Sequence, residues 1–183
     1  MERQTWDDFF MTAAFMWATR STCIRRSVGA VATKDKRIIA AGYNGVPSGH
    51  PHCTPETCVR TVQKIPSGTQ LDICNAVHAE QNIIIQAAMF GISLVGTDIY
   101  ITTMPCHTCF KLLCNLGVRN IYYCGNYDYS QIEETLAAER NKYVNKLNLN
   151  VMDVPKEAEM FLSGLRAFTT SKQTPGGVST CQK

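Results

Sequence analysis

A histidine and a glutamate stand two residues apart in "VHAEQN" (77–82), and a Pro-Cys-x-x-Cys follows in "MPCHTC" (104–109). Imidazole and thiolate are donors that zinc prefers, and three protein ligands leave its fourth tetrahedral position open. His78, Cys106 and Cys109 are the candidate ligands. Two cysteines at i and i+3 share a helix face, so both sulfurs can reach one ion. Glu80, two residues from the histidine, is badly placed to bind the same ion and well placed to move a proton beside it. Zinc lowers the pKa of a bound water from about 16 toward about 7. The chemistry expected is therefore hydrolytic. Any one of the four residues alone reads better as a surface pair or as a buried core thiol. The zinc reading rests on their joint occurrence, each pair opening a helix.

Those pairs need elements to hold them. "NAVHAEQNIIIQAAMF" and "PCHTCFKLLCNL" have helical patterns that stop at Gly91 and Gly117, and the first turn of each is expected to carry the ligands. The positive end of each helix dipole favours the thiolates there. "TDIYITT", "NIYYC" and "LNVMDVP" read as strands, and "SVGAVATKDKRIIAAGYN" as a hairpin turning at "KDK". "WDDFFMTAAFMWATR" is a helix with an acidic start, and "YSQIEETLAAERNKYVNKLN" is another. The order of helix, hairpin and then alternating strand and helix predicts an α/β fold, a mixed five-stranded sheet in a three-layer α/β/α sandwich. From Gly45 to about Leu71 there is neither helical nor strand pattern. A loop that long in a compact domain is functional or tied down.

Bulk properties narrow the function. The 183 residues suffice for about one domain, and 45% hydrophobic with 18% charged residues fits a globular chain. A net charge of +3 without a basic run argues against a nucleic-acid surface. No apolar stretch is long enough to span a bilayer, and "MERQTWDDFF" has neither the basic start nor the apolar core of a signal peptide. The expected location is the cytoplasm. Nine cysteines in a reducing compartment point to metal rather than to disulfides.

The segments "STCIRRSVGA", "AAGYNGVPSGHPHC", "CNAVHAEQN", "ITTMPCHTC" and "GVRNIYYCGNYD" resemble the zinc-dependent cytidine deaminase superfamily, most closely deoxycytidylate (dCMP) deaminases of the bacterial and phage type. His-x-Glu with Pro-Cys-x-x-Cys is the signature of zinc base deaminases, which implies that water adds at an aminated ring carbon, Glu80 protonates the ring nitrogen and then the departing amine, and ammonia leaves. The "VGA…GYNG" pair and the "YD" after the fourth strand narrow the likeness to the dCMP branch. The likeness covers about residues 5 to 130. It implies a deaminase domain over 1–155, followed by an extension with a flexible polar tail over 156–183. One departure stands out: Ile83 follows "HAEQN", where similar sequences carry a small residue. The side chain either narrows the substrate pocket or only fills the core, and packing is the preferred reading.

The resemblance implies dCMP as substrate, with Asn44 on the sugar; Arg25, Arg26 and Ser27, which precede a strand, are the phosphate candidates, Arg26 preferred, and Ala79, Thr103, Pro105 and Tyr127 are further substrate-binding candidates. An amide suits a sugar hydroxyl and a guanidinium fork suits phosphate oxygens. Against this, Asn44-Gly45 is also an ordinary turn former, and Arg25-Arg26-Ser27 an ordinary basic turn. The family is commonly a homohexamer activated by dCTP and inhibited by dTTP. That implies an effector site with Mg2+ at Gly42, Asn44, Gly45 and Gly49. Relatives of this type also imply a second, structural zinc, here on Cys23, Cys53, Cys58 and Cys74, with His52 as a substitute; the competing reading is plain loop and core thiols. Cys114 and Cys124 are expected on apolar faces and Cys181 in the tail. Two alternatives compete. One is deamination of a modified deoxycytidylate, or of a base in single-stranded nucleic acid or tRNA, which in nucleic acid requires a charged, aromatic groove. The other is a noncatalytic zinc module that binds nucleotides, which would have no use for Glu80.

Overall fold

The computed structural model describes residues 3–125 and 147–164. A sheet in the order β2-β1-β3-β4-β5 forms the middle layer, with β1 Gly29–Lys34, β2 Arg37–Tyr43, β3 Asp98–Ile101, β4 Asn120–Cys124 and β5 Asn148–Met152. The β1–β2 hairpin and the β1–β3 pair are antiparallel, while β3–β4 and β4–β5 are parallel. This is the mixed five-stranded sheet that the sequence predicts. The hairpin turns on Asp35 and Lys36, with φ of 50° and 59°. Two consecutive positive φ values match the right-handed twist of the flanking strands.

Alternation along the strands separates two cores. Ala30, Ala32, Ile99, Ile101, Ile121 and Tyr123 face one side, where they meet Ala79, Ile83 and Ala87 of α3 (Ala79–Phe90) and Phe110 and Leu113 of α4 (His107–Leu116). Val31, Ala41, Tyr100 and Cys124 face the other side. There they meet Phe10, Met11, Ala14 and Phe15 of α1 (Trp6–Ala18) and Ala158 of α5 (Lys156–Gly164). Residues 156–164 are thus helical at the start of the expected extension, and the fully buried Ala158 packs into the core beside α1. Cys124 is buried and Cys114 packs beside the first core, as their apolar settings predict. The helix expected after β4, and Tyr127, Cys181 and the tail, lie outside the described residues.

Helix α1 starts as its sequence directs. Thr5 caps it by accepting a hydrogen bond from the Asp8 amide at 3.1 Å, and two aspartates fill the first turn. Its approach to β1 needs Gly29, since a Cβ there would lie 2.0 Å from the Ala14 carbonyl oxygen and 2.4 Å from the Ala18 amide nitrogen. Both obstacles are backbone, so neither yields by a rotamer change. Gly29→Ala is expected to cost about 3 kcal/mol, the upper part of the usual overpacking range, measured as a lower urea midpoint at unchanged slope.

The stretch from Gly45 to Leu71 contains more order than its composition predicts. It holds a single helical turn, α2 (Val59–Val62), and a 3-10 turn follows at Leu71–Ile73. Gly45 and Val77 exchange backbone hydrogen bonds at 3.1 and 2.8 Å and close this excursion against the sheet. No helix among the described residues is long and apolar enough to cross a membrane.

Candidate active site

The two chemical motifs meet beyond the carboxyl end of β3, beside the start of β1. There Thr102 ties both strands together, its amide donating to the Gly29 carbonyl at 3.0 Å and its hydroxyl accepting from the Gly29 amide at 3.1 Å. Sites in open α/β sheets gather at such carboxyl ends.

His78 and Cys106 are the N-cap residues of α3 and α4, one position before the first turn that the sequence predicts for them, and Pro105 precedes the helix. The reason is local. Both residues have extended backbone, with ψ of 158° and 165°, which turns the chain into the helix and aims the side chain across its open end. A cap and the third helical residue face each other, so Cys106 and Cys109 still converge. Their sulfurs lie 3.4 and 3.6 Å from His78 Nδ1. Among the described residues, these three form the one group of potential ligands whose donor atoms all lie within 4.8 Å of one another.

The donor set fits zinc: one imidazole nitrogen, two sulfurs, and no fourth side chain. Its protonation points the same way. A hydrogen bond from the neighbouring Cys109 thiol, then burial working against it, then His78, hold Cys106 well below the usual thiol range. Cys109 is pushed up, first by that hydrogen bond with Cys106 and then by burial. A cation lets both sulfurs ionise instead of sharing a proton. Glu80 is 4% exposed. Burial pushes its carboxyl up to about 7, against the opposing pull of His78. A carboxyl near neutrality can both accept and return a proton.

Two residues that the sequence reading passed over position this centre. Gln81 Oε1 accepts from the His78 amide at 2.8 Å, the reciprocal half of a capping box, and fixes the backbone that carries the ligand. Asn82 Nδ2 donates to the Tyr43 carbonyl at 2.7 Å, tying α3 to the end of β2. A Gln three residues after a cap is a visible signal; Asn82 had none, since its partner is 39 positions away. Ile83 is fully buried in the core and does not line the site cavity, so the departure at this position is one of packing.

A cavity of about 110 Å³ opens in front of Glu80. His78, Cys106, Ala79 and Thr103 line it, as do Asn44, Arg25, Arg26 and Arg60. Of the predicted substrate contacts, Asn44, Arg26, Ala79 and Thr103 are therefore brought together. Pro105 is fully buried and does not line the cavity, which its neighbour Met104 does. Asn44 is largely committed to the protein. Its Oδ1 accepts from Ser21 Oγ at 2.7 Å and the Val28 amide at 2.8 Å, and its Nδ2 donates to the Arg26 carbonyl at 2.9 Å. One amide hydrogen remains for a ligand. Gly42 and Gly45 have packing explanations: a Cβ would lie 2.6 Å from the Ala79 carbonyl at the first and 2.4 Å from Thr22 Oγ1 at the second. Gly49, with φ of 84°, has open space where a side chain would be.

Comparison with known proteins agrees with this geometry. Residues 4–125 match the family model described as the cytidine and deoxycytidylate deaminase zinc-binding region, and the chain belongs to that family of deaminases. It is 36% identical over 169 residues to the ComE operon protein 2 of Bacillus subtilis, covering 90% of this chain and 85% of the relative. It is also 36% identical over 128 residues to the deoxycytidylate deaminase of Mycobacterium phage D29, covering 67% of this chain and 97% of the relative. The crystal structure of the dCMP deaminase from cyanophage S-TIM5, in complex with dCMP and dUMP, superposes with a TM-score of 0.63 at 25% identity, covering 83% of this chain and all of that one.

Proposed function

We propose that this deaminase converts dCMP to dUMP and ammonia in the cytoplasm, supplying dUMP for thymidylate synthesis. The observation that carries the reading is the cavity itself: Glu80, His78 and Cys106 line it together with Asn44 and three arginines. The kinship with phage enzymes named for dCMP supports the same substrate. A zinc ion held by His78, Cys106 and Cys109 supplies the Lewis acidity that makes a water nucleophilic near neutral pH. Glu80 receives one proton of the attacking water and passes it to the ring nitrogen of cytosine, then takes the second from the added hydroxyl and delivers it to the amine as the carbon–nitrogen bond breaks. Its burial excludes bulk water from these transfers. Asn44 offers its remaining amide hydrogen to the sugar, Ala79 and Thr103 border the base, and Arg26 takes part in phosphate binding. Tyr127 and Pro105 belong to the same proposal, the first as a residue closing over the base and the second as a support beneath Cys106.

A second, structural zinc on Cys23, Cys53, Cys58 and Cys74 accompanies this reading. Burial raises the Cys53 thiol, and Cys58, Cys23 and Cys74 raise it further, although no three of these sulfurs lie within 4.8 Å of one another as the His78 group does. Regulation by dCTP with Mg2+ and by dTTP, at Gly42, Asn44, Gly45 and Gly49, is the finer part of the proposal. Its structural support is the open surface at Gly49. Exposed Phe9 on α1 and Met89 and Phe90 on α3 support self-association, as a hexamer.

The test is ultraviolet-monitored deamination of dCMP by the zinc-loaded protein, with and without dCTP and Mg2+. Turnover that rises with dCTP is the expected result. Turnover indifferent to dCTP removes the regulation and keeps the enzyme. No turnover of dCMP in either condition overturns the substrate.

A further inference from the structure

Arg60 is 8% exposed, and its Nε has no hydrogen-bond partner. Arg25 has a buried Nη1 in the same condition. Both side chains line the cavity that holds His78 and Glu80. Each is anchored at its other end. Arg25 Nη2 donates to the Ile65 carbonyl at 2.8 Å, and Arg60 Nη2 donates to the next carbonyl, that of Pro66, at 3.0 Å. Two guanidinium groups are therefore fixed at adjacent carbonyls, each with one buried nitrogen left over. Among the described residues neither has a carboxylate partner, and the ion pair formed there joins Arg119 and Asp98. Buried charges are ordinarily paired, because desolvation without compensation is costly. Both unpaired nitrogens border the cavity, where an anionic ligand can complete them.

We infer that Arg60 and Arg25 form the phosphate clamp that makes this site select a nucleoside 5′-monophosphate over the free nucleoside. The inference rests on the dCMP reading above and moves the main phosphate contact from Arg26, the preferred candidate of the sequence, to Arg60, which the sequence did not mark, and Arg25. Two guanidinium forks bring a charge of +2 to a phosphomonoester carrying about −1.5 to −2 at pH 7, and their planar donors match its oxygens in pairs. Arg60 sits on α2, the single turn capped by Cys58 within the cysteine-bearing loop. That loop thus has a role in substrate choice: the fold of the cysteine segment sets the position of Arg60. Residues 58–60 read "CVR", and in a segment without periodicity nothing marks the arginine as facing the site.

The experiment compares kcat/KM for dCMP and for deoxycytidine in the zinc-loaded wild type, Arg60→Gln and Arg25→Gln, with bound zinc measured on each. Truncating one partner of a buried charge pair predicts that the ratio of dCMP to deoxycytidine efficiency falls by about 30-fold or more, with the loss concentrated in KM for dCMP. Should Arg60→Gln lose zinc or melt early, Arg60→Lys keeps the charge without the fork and is read by the same ratio. An unchanged ratio overturns the clamp. So does an equal fall for both substrates accompanied by loss of zinc, which would make the arginines counter-charges of the cysteine cluster. If the wild type turns over neither substrate, binding of dUMP and deoxyuridine to wild type and Arg60→Gln by calorimetry takes the place of rates. Arginine-dependent preference for dUMP then upholds the clamp even as the dCMP reaction fails, and no preference overturns it.

Discussion

Replacing Glu80 with glutamine is expected to lower kcat for dCMP by about 10⁴-fold while bound zinc and the melting temperature stay close to wild type. Proton transfer by a positioned side chain contributes roughly 10² to 10⁴. Glu80 serves more than one transfer in the proposed sequence, which places the effect at the upper end. Glutamine keeps the volume and the hydrogen-bonding reach of the side chain but cannot carry a proton. The substitution sits in a buried position where a neutral amide is easier to desolvate than a carboxylate. The fold therefore has no reason to fail. The measurement is single-turnover deamination followed in the ultraviolet, with metal content determined on the same sample. Retained zinc with kcat above about one tenth of wild type would sink the proton-shuttle role. The same outcome would revive the noncatalytic module, for which this carboxylate has no task.

The second large effect is expected at Cys109. Its side chain is fully buried, and its sulfur and that of Cys106 flank His78 Nδ1 at 3.6 and 3.4 Å. Cys109→Ala is expected to release about one equivalent of zinc per chain and to reduce turnover below about one thousandth. That corresponds to about 4 kcal/mol of lost Lewis-acid assistance. Stripping the wild type with a chelator should reproduce the loss, and zinc should restore the wild type but not the variant. Zinc content also separates the two metal sites. If the loop cysteines hold an ion of their own, the variant keeps that equivalent, and Cys58→Ser loses it. A variant that retains full zinc and full turnover would remove Cys109 from the centre.

Asn44 shows how a motif residue can hold several roles at once. Its carboxamide joins the turn after α1, through Ser21, to the start of β1, through Val28. In addition, its backbone amide donates to the Val28 carbonyl at 3.0 Å. The turn reading and the ligand reading of "GYNG" are therefore not exclusive. Three of the four polar positions on the amide organise the loop that carries Arg25 and Arg26, and one is left for substrate.

What the sequence by itself determined is local. Donor types and their spacing name zinc, because a cap and its third helical residue meet whatever surrounds them. Strand alternation assigns Ala30 and Ile99 to one core and Val31 and Tyr100 to the other, since successive side chains point to opposite faces. Gly91 and Gly117 end their helices in the left-handed region, as glycine does cheaply. The tertiary structure decided everything that depends on chain closure. It set the Gly45–Val77 bridge that brings "GYNG" beside "HAEQN", and the hydrogen bond from Asn82 to Tyr43. It gave Gly42 and Gly45 their packing roles and Ile83 its place in the core. It also carried Arg60, from a segment with no periodicity at all, to the cavity that Glu80 lines. Periodicity encodes which face a residue takes on its own element. Which distant backbone that face then meets depends on how the intervening loops close, and no spacing along the chain records it.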